Sequence, residues 1–395
     1  MRVKKTEVSN FRNLSQQTIW LHPRLNILLG VNGSGKTNFL EALFSVIKGK
    51  SFRPYSGRED WLFKTKGTPS ENCKINVEFE NELGLSETLS LTFDNSLGWT
   101  TRQNEKKISG RAIQTLRSRP IVSFSPDDHY LVRGGPEFRR DFLDAVLSDI
   151  CPGYGETLER FQKALKNRNI ILKKGKDNFQ IRKSLEVELI AWTEILAQEA
   201  AAVFLLRWEI WTEMEKKFKF FAGELGLESA FGELQIILKS DIERTPQANT
   251  ASALSTTLHD QFSESLEKDW ATGWTHRGPQ RDDIFFGLSG CDSRAHASQG
   301  QARMIAFLMR WLHVHWISEA TGRQPILLLD DFSSELDHRI RAHLISLIFR
   351  EKSQVFLTAT DLQGVDLTGL SDYNHYRVEK GKIHSENGAF SDRDK

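Results

Sequence analysis

The sequence predicts an α/β fold in which a mainly helical arm lobe is inserted into a discontinuous α/β head. Three observations predict it. An apolar stretch at 25–29 leads into a glycine-rich turn and a helical pattern, a second apolar stretch at 325–329 ends in two aspartates, and the chain between them becomes helical in pattern near residue 137. The predicted domains are therefore a head of 1–136 plus 273–395 and an arm of 137–272.

Length and charge limit the classes of protein that fit. The chain has 395 residues, which suits two or three domains, and its 39% hydrophobic content allows a buried core and excludes disorder as the main state. A balance of 53 Lys and Arg against 52 Asp and Glu, net +1, excludes a uniformly basic nucleic-acid coat. Cys73, Cys151 and Cys291 are too scattered for a zinc site or a disulfide framework, so we expect free thiols.

The N-terminal segment 1–13 is basic but has no apolar stretch behind it, so we expect no signal peptide. The apolar runs, such as 326–329, are as short as strands, and we expect no membrane span. These two observations predict a cytoplasmic protein.

The remaining elements follow from periodicity. Leu158, Phe161, Leu165 and Leu172 fall on one helix face, and a second helical stretch at 185–221 carries Trp192, Trp208 and Trp211, which we expect in the core. The polar stretch 240–262 is either a loop or a weak helix. The other predicted elements are strands at 1–10, within 73–95, at 121–124 and at 354–358, and helices at 36–47, 298–320 and 337–350.

The turn after the strand at 25–29 matches the P-loop pattern G-x-x-x-x-G-K-[ST]. Glycines let the backbone wrap phosphates with its N–H groups inward, and the following helix adds its positive end. Lys36 is predicted to reach the β- and γ-phosphates of ATP, and Thr37 to bind Mg²⁺. The predicted nucleotide-binding residues are Gly30, Val31, Asn32, Gly33, Ser34, Gly35, Lys36 and Thr37.

The second part of a nucleotide site is the apolar strand that ends in Asp330 and Asp331. A carboxylate at the end of such a strand is placed to hold the Mg²⁺ shell, which predicts Asp330 as a metal ligand with Thr37. Asp331 is predicted to orient or deprotonate the attacking water, so the catalytic set is Lys36, Asp330 and Asp331. Lys36 and Asp330 are 294 positions apart, so the nucleotide fold contains a large insertion.

A Ser–Gly pair opens the helix at 298–320. Ser298 is a candidate N-cap, and such a helix start is also an anion site. Its place shortly before the strand that carries Asp330 resembles the signature motif of ABC-type ATPases, and 333–337 resembles their D-loop. The predicted nucleotide contacts in this motif are Ser298, Gln299, Gly300 and Gln301.

Taken together, these motifs resemble the RecF family of SMC-like ABC-type ATPases over nearly the whole chain. Gln280 departs from the family pattern, which usually has His there. The resemblance also rests on the segments 10–13, 51–53, 124–128, Pro136, 139–144, 168–169 and 278–283.

The resemblance implies an ABC-type P-loop NTPase head with a short helical arm in place of long coiled coils. It implies ATP-dependent homodimerisation, with ATP held between the P-loop of one copy and Ser298–Gln301 of the other. It also implies weak, DNA-stimulated ATP hydrolysis, binding to duplex and gapped DNA at single-strand–double-strand junctions, and work with RecO and RecR in loading RecA. DNA repair, replication and the SOS response are the processes implied.

Two smaller predictions remain open. Arg12 follows the first strand and is expected to touch the nucleotide, with an ordinary surface arginine in a turn as the alternative. Asp127 and Asp128 lie where ABC proteins place the Q-loop that senses Mg²⁺, with capping of the turn after Pro126 as the alternative.

The segment 160–183 contains nine Lys and Arg and one Asp, a local charge of +8. At about 100° per residue, five of its cations fall opposite the apolar face of the first arm helix, while Arg168 lies beside that face and is open to a structural role. No groove-reading motif is present, so backbone contacts to DNA are expected, with a merely solvated face as the alternative. The candidate DNA-binding residues are Arg160, Lys163, Lys166, Lys173 and Lys174.

Three other functions compete with an ATP-hydrolysing repair protein. The first is an ATP-switched DNA scaffold in which hydrolysis only resets the protein. The second is the nucleotide-binding subunit of a membrane transporter, and the third is another SMC-type ATPase. The basic arm argues against a transporter subunit. The absence of long heptad arms and of a Cys-x-x-Cys hook argues against another SMC-type ATPase.

Overall fold

A computed structural model describes residues 1–54, 57–62, 72–81, 84–117, 119–176, 178–242, 250–331, 348, 352–360 and 372–386. The chain divides into two compact units. The first is formed by 1–129 with 303–395, and the second by 130–302. The predicted D-loop, and the predicted helix at 337–350 apart from Ile348, lie outside the described residues.

The described strands are β1 Arg2–Ser9, β2 Gln17–Trp20, β3 Leu25–Leu29, β4 Asn72–Glu80, β5 Ser86–Asp94, β6 Gly98–Gln103, β7 Lys106–Lys107, β8 Ile121–Phe124, β9 Leu234–Lys239, β10 Asp283–Leu288, β11 Cys291–Asp292, β12 Ile326–Leu329, β13 Val355–Ala359, β14 Tyr373–Glu379 and β15 Lys382–Ser385. The described α-helices are α1 Lys36–Lys48, α2 Arg111–Arg117, α3 Tyr130–Arg133, α4 Pro136–Ile150, α5 Tyr154–Gly175, α6 Phe179–Glu224, α7 Leu227–Phe231, α8 Ala251–Glu264, α9 Leu266–Thr272, α10 Ser293–His296 and α11 Gln299–Thr321.

The first unit contains a six-stranded sheet in the order β15-β14-β3-β13-β12-β8. From β14 through β3, β13 and β12 to β8 each strand is parallel to the next, whereas β15 pairs antiparallel with β14. The carboxyl ends of β3, β13 and β12 therefore meet at one edge, where parallel α/β sheets commonly bind ligands. This register brings the P-loop after β3 close to the aspartates after β12.

A second, antiparallel sheet of the first unit has the order β2-β1-β4-β5-β6-β7. Apolar side chains of α1, including the fully buried Phe39 and Leu40, share one core with side chains of both six-stranded sheets, such as Ile75 and Leu328. Burying these side chains holds α1, and with it the P-loop, against the parallel sheet.

The core of the second unit is mainly helical. Leu196, Ala200 and Phe204 of α6 are fully buried in a cluster with side chains of α5 and α8. Trp211 is buried as expected, and Trp192 and Trp208 pack on the same cluster half-buried. The stretch predicted as a loop or weak helix contains most of α8, while 243–249 lie outside the described residues.

The second unit is larger than the predicted arm. The segment 273–302 belongs to it because β10 pairs along its whole length with β9, in a three-stranded sheet of order β11-β10-β9 that the sequence reasoning missed. The start also moves, since the unit begins at Tyr130 and not at 137.

Buried arginines of the second unit explain several motifs behind the resemblance. Arg207, 2% exposed, donates through Nη1 to Asp282 Oδ2 at 2.8 Å and through Nη2 to Asp144 Oδ1 at 2.8 Å. Arg139 is fully buried and donates through Nε to Asp283 Oδ1 at 2.6 Å. Breaking a buried pair on one side costs about 3–5 kcal/mol, so these motifs have a structural role in the unit.

Helix α6 corrects the prediction that no stretch could span a membrane. By length and composition alone it is long and apolar enough, and 44% of its most apolar window is buried. Glu194 and Glu199 interrupt its apolar residues, so the sequence shows no unbroken run. A core helix of a folded unit meets the same criterion, and α6 supplies much of the core described above.

Candidate nucleotide-binding site

The predicted P-loop joins the carboxyl end of β3 to the amino end of α1. Gly35 has a φ of 121°, a value that side chains rarely permit. At Gly30 a Cβ atom would overlap the backbone oxygen of Val378, so glycine alone fits there. Both glycines are therefore required by the backbone, and the loop leads directly into a helix N-terminus, which favours anions.

Lys36 lies over the loop that precedes it. Its Nζ donates to the backbone oxygens of Gly30 at 2.5 Å and Val31 at 3.1 Å, and the residue is 8% exposed. The ammonium thus occupies the inside of the P-loop, held by two backbone carbonyls. This is the placement that the sequence predicts for the phosphate-binding lysine.

Thr37 and Asp330 meet as predicted. Thr37 Oγ1 donates to Asp330 Oδ1 at 2.8 Å, although the two residues are far apart in sequence. Thr358, at the end of β13, donates through Oγ1 to the same Asp330 oxygen at 2.9 Å and accepts from the Asp331 backbone N at 2.8 Å. Asp331 has a φ of 44°, so the chain turns sharply directly after Asp330.

Burial sets the electrostatics of the site. It raises the pKa of Asp330, while hydrogen bonds from Thr37 and Thr358 act in the opposite direction. Burial likewise lowers the pKa of Lys36, and the charges of Asp331 and Asp330 oppose that shift. The charged form of each group is therefore less stable than it would be in water. A bound ligand of opposite charge would stabilise that charged form.

The residues present fit ATP and Mg²⁺. Ser34 Oγ is buried and has no hydrogen-bond partner among the described residues, so the loop retains a polar atom for a ligand oxygen. Thr37 and Asp330 are the residues that would hold Mg²⁺, since a hydroxyl and a carboxylate oxygen are hard ligands. The ion supplies charge neutralisation at the β- and γ-phosphates.

Arg12 is held by a buried carboxylate on α1. Its Nε lies 2.6 Å from Glu41 Oε2, and its Nη2 donates to Glu41 Oε1 at 2.8 Å. Glu41 also accepts from Trp61 Nε1 at 3.1 Å and lies 3.4 Å from Arg53 Nε. Arg12 is therefore not an ordinary surface arginine, and its contact with nucleotide stays a prediction.

Sequence reasoning gave no site role to Asn13, Asn38 or Arg53. Asn13 Nδ2 donates to the Gly33 backbone oxygen at 3.2 Å, and Asn38 Nδ2 donates to Asn13 Oδ1 at 2.7 Å. Arg53 Nη2 donates to Asn38 Oδ1 at 2.6 Å. These side chains brace the P-loop from outside. Asn13 and Arg53 belong to segments that carried the resemblance, but no local pattern indicated this contact.

The two aspartates after β8 have different surroundings. Asp128 Oδ2 accepts from the Ser125 backbone N at 2.8 Å, and Oδ1 accepts from Arg310 Nη2 at 2.8 Å. Asp128 thus caps the turn, which was the alternative to a Q-loop role. Burial lowers the pKa of Arg53, and the charge of Asp127 is among those that oppose this shift. Asp127 remains the candidate for the Q-loop role.

The segment at the start of α11 forms a reciprocal capping box. Ser298 Oγ accepts from the Gln301 backbone N at 3.2 Å, and Gln301 Oε1 accepts from the Ser298 backbone N at 2.8 Å. This is the capping arrangement expected of Ser298. Ser298, Gln299 and Gly300 are exposed, so the helix N-terminus is open to a ligand from outside the chain.

The candidate DNA-binding residues are not equivalent. Arg160 Nε donates to Glu199 Oε1 at 2.7 Å, and this hydrogen bond raises the pKa of Arg160. Arg168 is fully buried and pairs with Asp269 at 2.8 Å, which confirms its structural role. The remaining candidates are exposed on α5, namely Lys163, Lys166, Lys173 and Lys174.

Comparison with known families is consistent with this geometry. The model of the RecF/RecN/SMC N-terminal domain matches residues 2–369. The DNA replication and repair protein RecF of Staphylococcus epidermidis is 30% identical over 385 residues, covering 97% of this chain and 100% of that protein. The chain belongs to the RecF family.

A RecF of Chloroflexus aurantiacus is 33% identical over 395 residues, covering 97% of this chain and 99% of that protein. A solved structure of the recombination mediator protein RecF with ATP, described within the RecFOR pathway, has a TM-score of 0.84 and 26% identity over 97% of each chain. The Smc head of Pyrococcus furiosus, at a TM-score of 0.52 and 16% identity, covers 97% of this chain and 95% of its own and shows the ABC ATPase fold alone.

Proposed function

We propose that this chain is an ATP-dependent DNA-binding protein of recombination repair. ATP brings two copies together, each P-loop facing the exposed Ser298–Gln301 segment of the other copy across the nucleotide. The dimer binds duplex and gapped DNA at single-strand–double-strand junctions and, with RecO and RecR, helps to load RecA. It acts in the cytoplasm, on the nucleoid when bound to DNA.

The observation that carries the proposal is the hydrogen bond between Thr37 Oγ1 and Asp330 Oδ1. It joins the two residues predicted to bind Mg²⁺ across most of the sequence, next to a lysine that lies inside the P-loop. Relatives named RecF and a relative solved with ATP support the same assignment. The family match also favours this function over a transporter subunit.

The proposed reaction is slow, DNA-stimulated hydrolysis of ATP by water. Lys36 exchanges its bonds to the loop carbonyls for phosphate oxygens and offsets their charge. Asp331, directly after the metal-binding Asp330, orients the attacking water. Hydrolysis removes the γ-phosphate that both copies contact, so the dimer loses its shared ligand and opens.

Sedimentation velocity with and without ATP and gapped DNA tests the proposal. We expect a dimer only with ATP, and we expect Lys36→Arg to remain a monomer because the bulkier guanidinium cannot take the place of the ammonium inside the loop. Lys50→Arg, at an exposed lysine, is the matched control. A wild-type chain that stays monomeric under every condition would contradict the sandwich.

Asp331→Asn separates hydrolysis from binding. We expect this variant to dimerise with ATP and to turn over at least about 10-fold more slowly. If it still loads RecA onto gapped DNA, hydrolysis only resets a DNA scaffold; if loading stops, hydrolysis is part of the loading step.

A further inference from the structure

We propose that Trp274 is a stacking platform for an unpaired nucleobase, and that it forms a single-strand face with exposed residues of α5. The single-strand face consists of Lys163, Lys166, Ile170, Lys173 and Trp274. The inference rests on the proposed function, since it assigns the single-stranded part of a gapped DNA to a defined place in the second unit.

Trp274 combines exposure with a neighbouring cation. The residue is 52% exposed, and Lys173 Nζ lies 3.6 Å from the centroid of its ring. An ammonium this close is held by the ring's quadrupole, so the lysine is placed beside the aromatic surface. A single exposed apolar residue is ordinary by itself, but Trp274 is also held rigidly and has cations on the adjoining helix.

The backbone on both sides of Trp274 is fixed to α5. Gly273 ends α9 with a φ of 78°, and a Cβ at this position would lie only 3.2 Å from Lys173 Cγ, so the turn packs directly on the lysine. Thr275 donates from its backbone N to Asn169 Oδ1 at 2.9 Å, and its hydroxyl accepts from the buried Arg168 at 2.7 Å. Trp274 is thus presented at the surface with little conformational freedom to lose on binding.

The face of α5 that includes Lys173 carries further cations. Lys163, Lys166, Ile170 and Lys173 fall within about 80° of one another on α5. Lys163 and Lys166 are exposed, and within the described residues neither makes an ion pair with a carboxylate. Ile170 lies on the same helix face, is 41% exposed and adds apolar surface to it. Cations interleaved with an aromatic and an apolar side chain are typical of single-strand binding.

The same combination disfavours duplex as the ligand of Trp274. In a duplex each base is covered on both faces by its neighbours, whereas an unpaired base has a free face that can stack on an indole. The lysines then contact the phosphates on either side of that base. The ligand class is therefore single-stranded nucleic acid without sequence preference, because every base has a π-face.

The test compares the affinity of the full-length chain for a labelled oligothymidine and for a blunt duplex of equal length, by fluorescence anisotropy with ATP over a range of salt. We expect Trp274→Ala to bind the single strand about 5- to 150-fold more weakly and the duplex within about twofold of wild type. The salt slope for the single strand should not change, because no phosphate contact is lost. Trp274→Phe should recover most of the affinity.

Trp20→Ala is the matched control, since Trp20 is 41% exposed with Lys5 Nζ 5.5 Å from its ring, but it lies on β2 of the first unit. Duplex affinity and ATP-dependent sedimentation report whether each variant is folded. Unchanged single-strand affinity in Trp274→Ala would overturn the stacking assignment, and so would an equal loss of affinity for the single strand and the duplex. Either result would leave the proposed function intact. A wild-type chain that binds neither DNA would overturn the proposed function itself, and the inference with it.

Discussion

Asp330 shows how a binding site costs a folded protein stability. The carboxylate is buried at 6% exposure, and burial raises its pKa. The folded chain therefore holds this proton more tightly than the unfolded chain does. As pH rises from the ordinary Asp pKa through the raised value, the unfolded state gives up the proton first, and stability falls across that window and stays lower above it.

Asp330→Asn should remove this pH dependence. In urea unfolding without nucleotide, we expect the variant to be at least as stable as wild type at pH 7 and to lack its decline above the ordinary Asp range. The amide oxygen can still accept from Thr37, so the fold should persist. Calorimetry should show Mg·ATP binding weakened by at least about 10-fold, because a neutral amide is a poor Mg²⁺ ligand.

Asp94→Asn is the control for a carboxylate of opposite character. Hydrogen bonds from Ser96 lower the pKa of Asp94, which is exposed, so its removal should not stabilise the protein at pH 7. Two outcomes would contradict the assignment. One is a free energy of unfolding that has the same pH dependence in wild type and in Asp330→Asn, and the other is an Asp330→Asn chain that binds Mg·ATP normally.

Helix α11 combines a structural cap with a candidate ligand site at the scale of one element. Ser298 and Gln301 satisfy each other's backbone donors, which stabilises the helix start in the isolated chain. The same Ser298 is predicted to contact ATP bound by a second copy. A cap and a ligand contact can be separated because only the contact depends on nucleotide.

Ser298→Ala should cost about 1 kcal/mol of stability and also abolish ATP-dependent dimerisation. Thr250→Ala is the matched control, since Thr250 Oγ1 caps α8 by accepting from the Ala253 backbone N at 3.2 Å. Chemical unfolding should show similar losses for both variants, and sedimentation should show lost dimerisation for Ser298→Ala alone. If Ser298→Ala dimerises like Thr250→Ala, the segment acts only as a cap.

The charge of the whole molecule is unevenly distributed. The net charge of +1 includes +8 within 160–183. Part of this charge is not available to bind DNA, because Arg168 is buried in an ion pair and Arg160 pairs with Glu199. The lysines of α5 therefore carry the candidate DNA interaction, without Arg160, which the sequence analysis grouped with them.

Lys163→Glu combined with Lys166→Glu should weaken binding of single-stranded DNA and reduce its salt slope by about 1.4, since each lost phosphate contact on a single strand contributes about 0.7. Lys216→Glu combined with Lys219→Glu makes the same change in net charge at other exposed positions of α6 and should leave the slope nearly unchanged. Affinities measured between low and moderate salt check this. Equal effects of the two double variants would mean that only total charge matters.

The sequence by itself determined the elements whose residues are contiguous. The P-loop, α1, β3, β8, β12 and α11 begin and end within one residue of their predicted bounds, because glycine spacing, apolar runs and helix periodicity are local properties. The pairing of Thr37 with Asp330 was also predictable, since both follow parallel strands whose carboxyl ends meet at one edge.

Tertiary structure alone decided the rest. Glu41 binds Arg12, Asn13 braces Gly33, and Thr358 supports Asp330, and each contact joins segments with no local pattern in common. The pairing of β9 with β10 moved the boundary of the second unit in the same way. Which arginines are buried and which lysines stay exposed also depends on packing, because a residue's spacing in sequence fixes its helix face but not what covers that face.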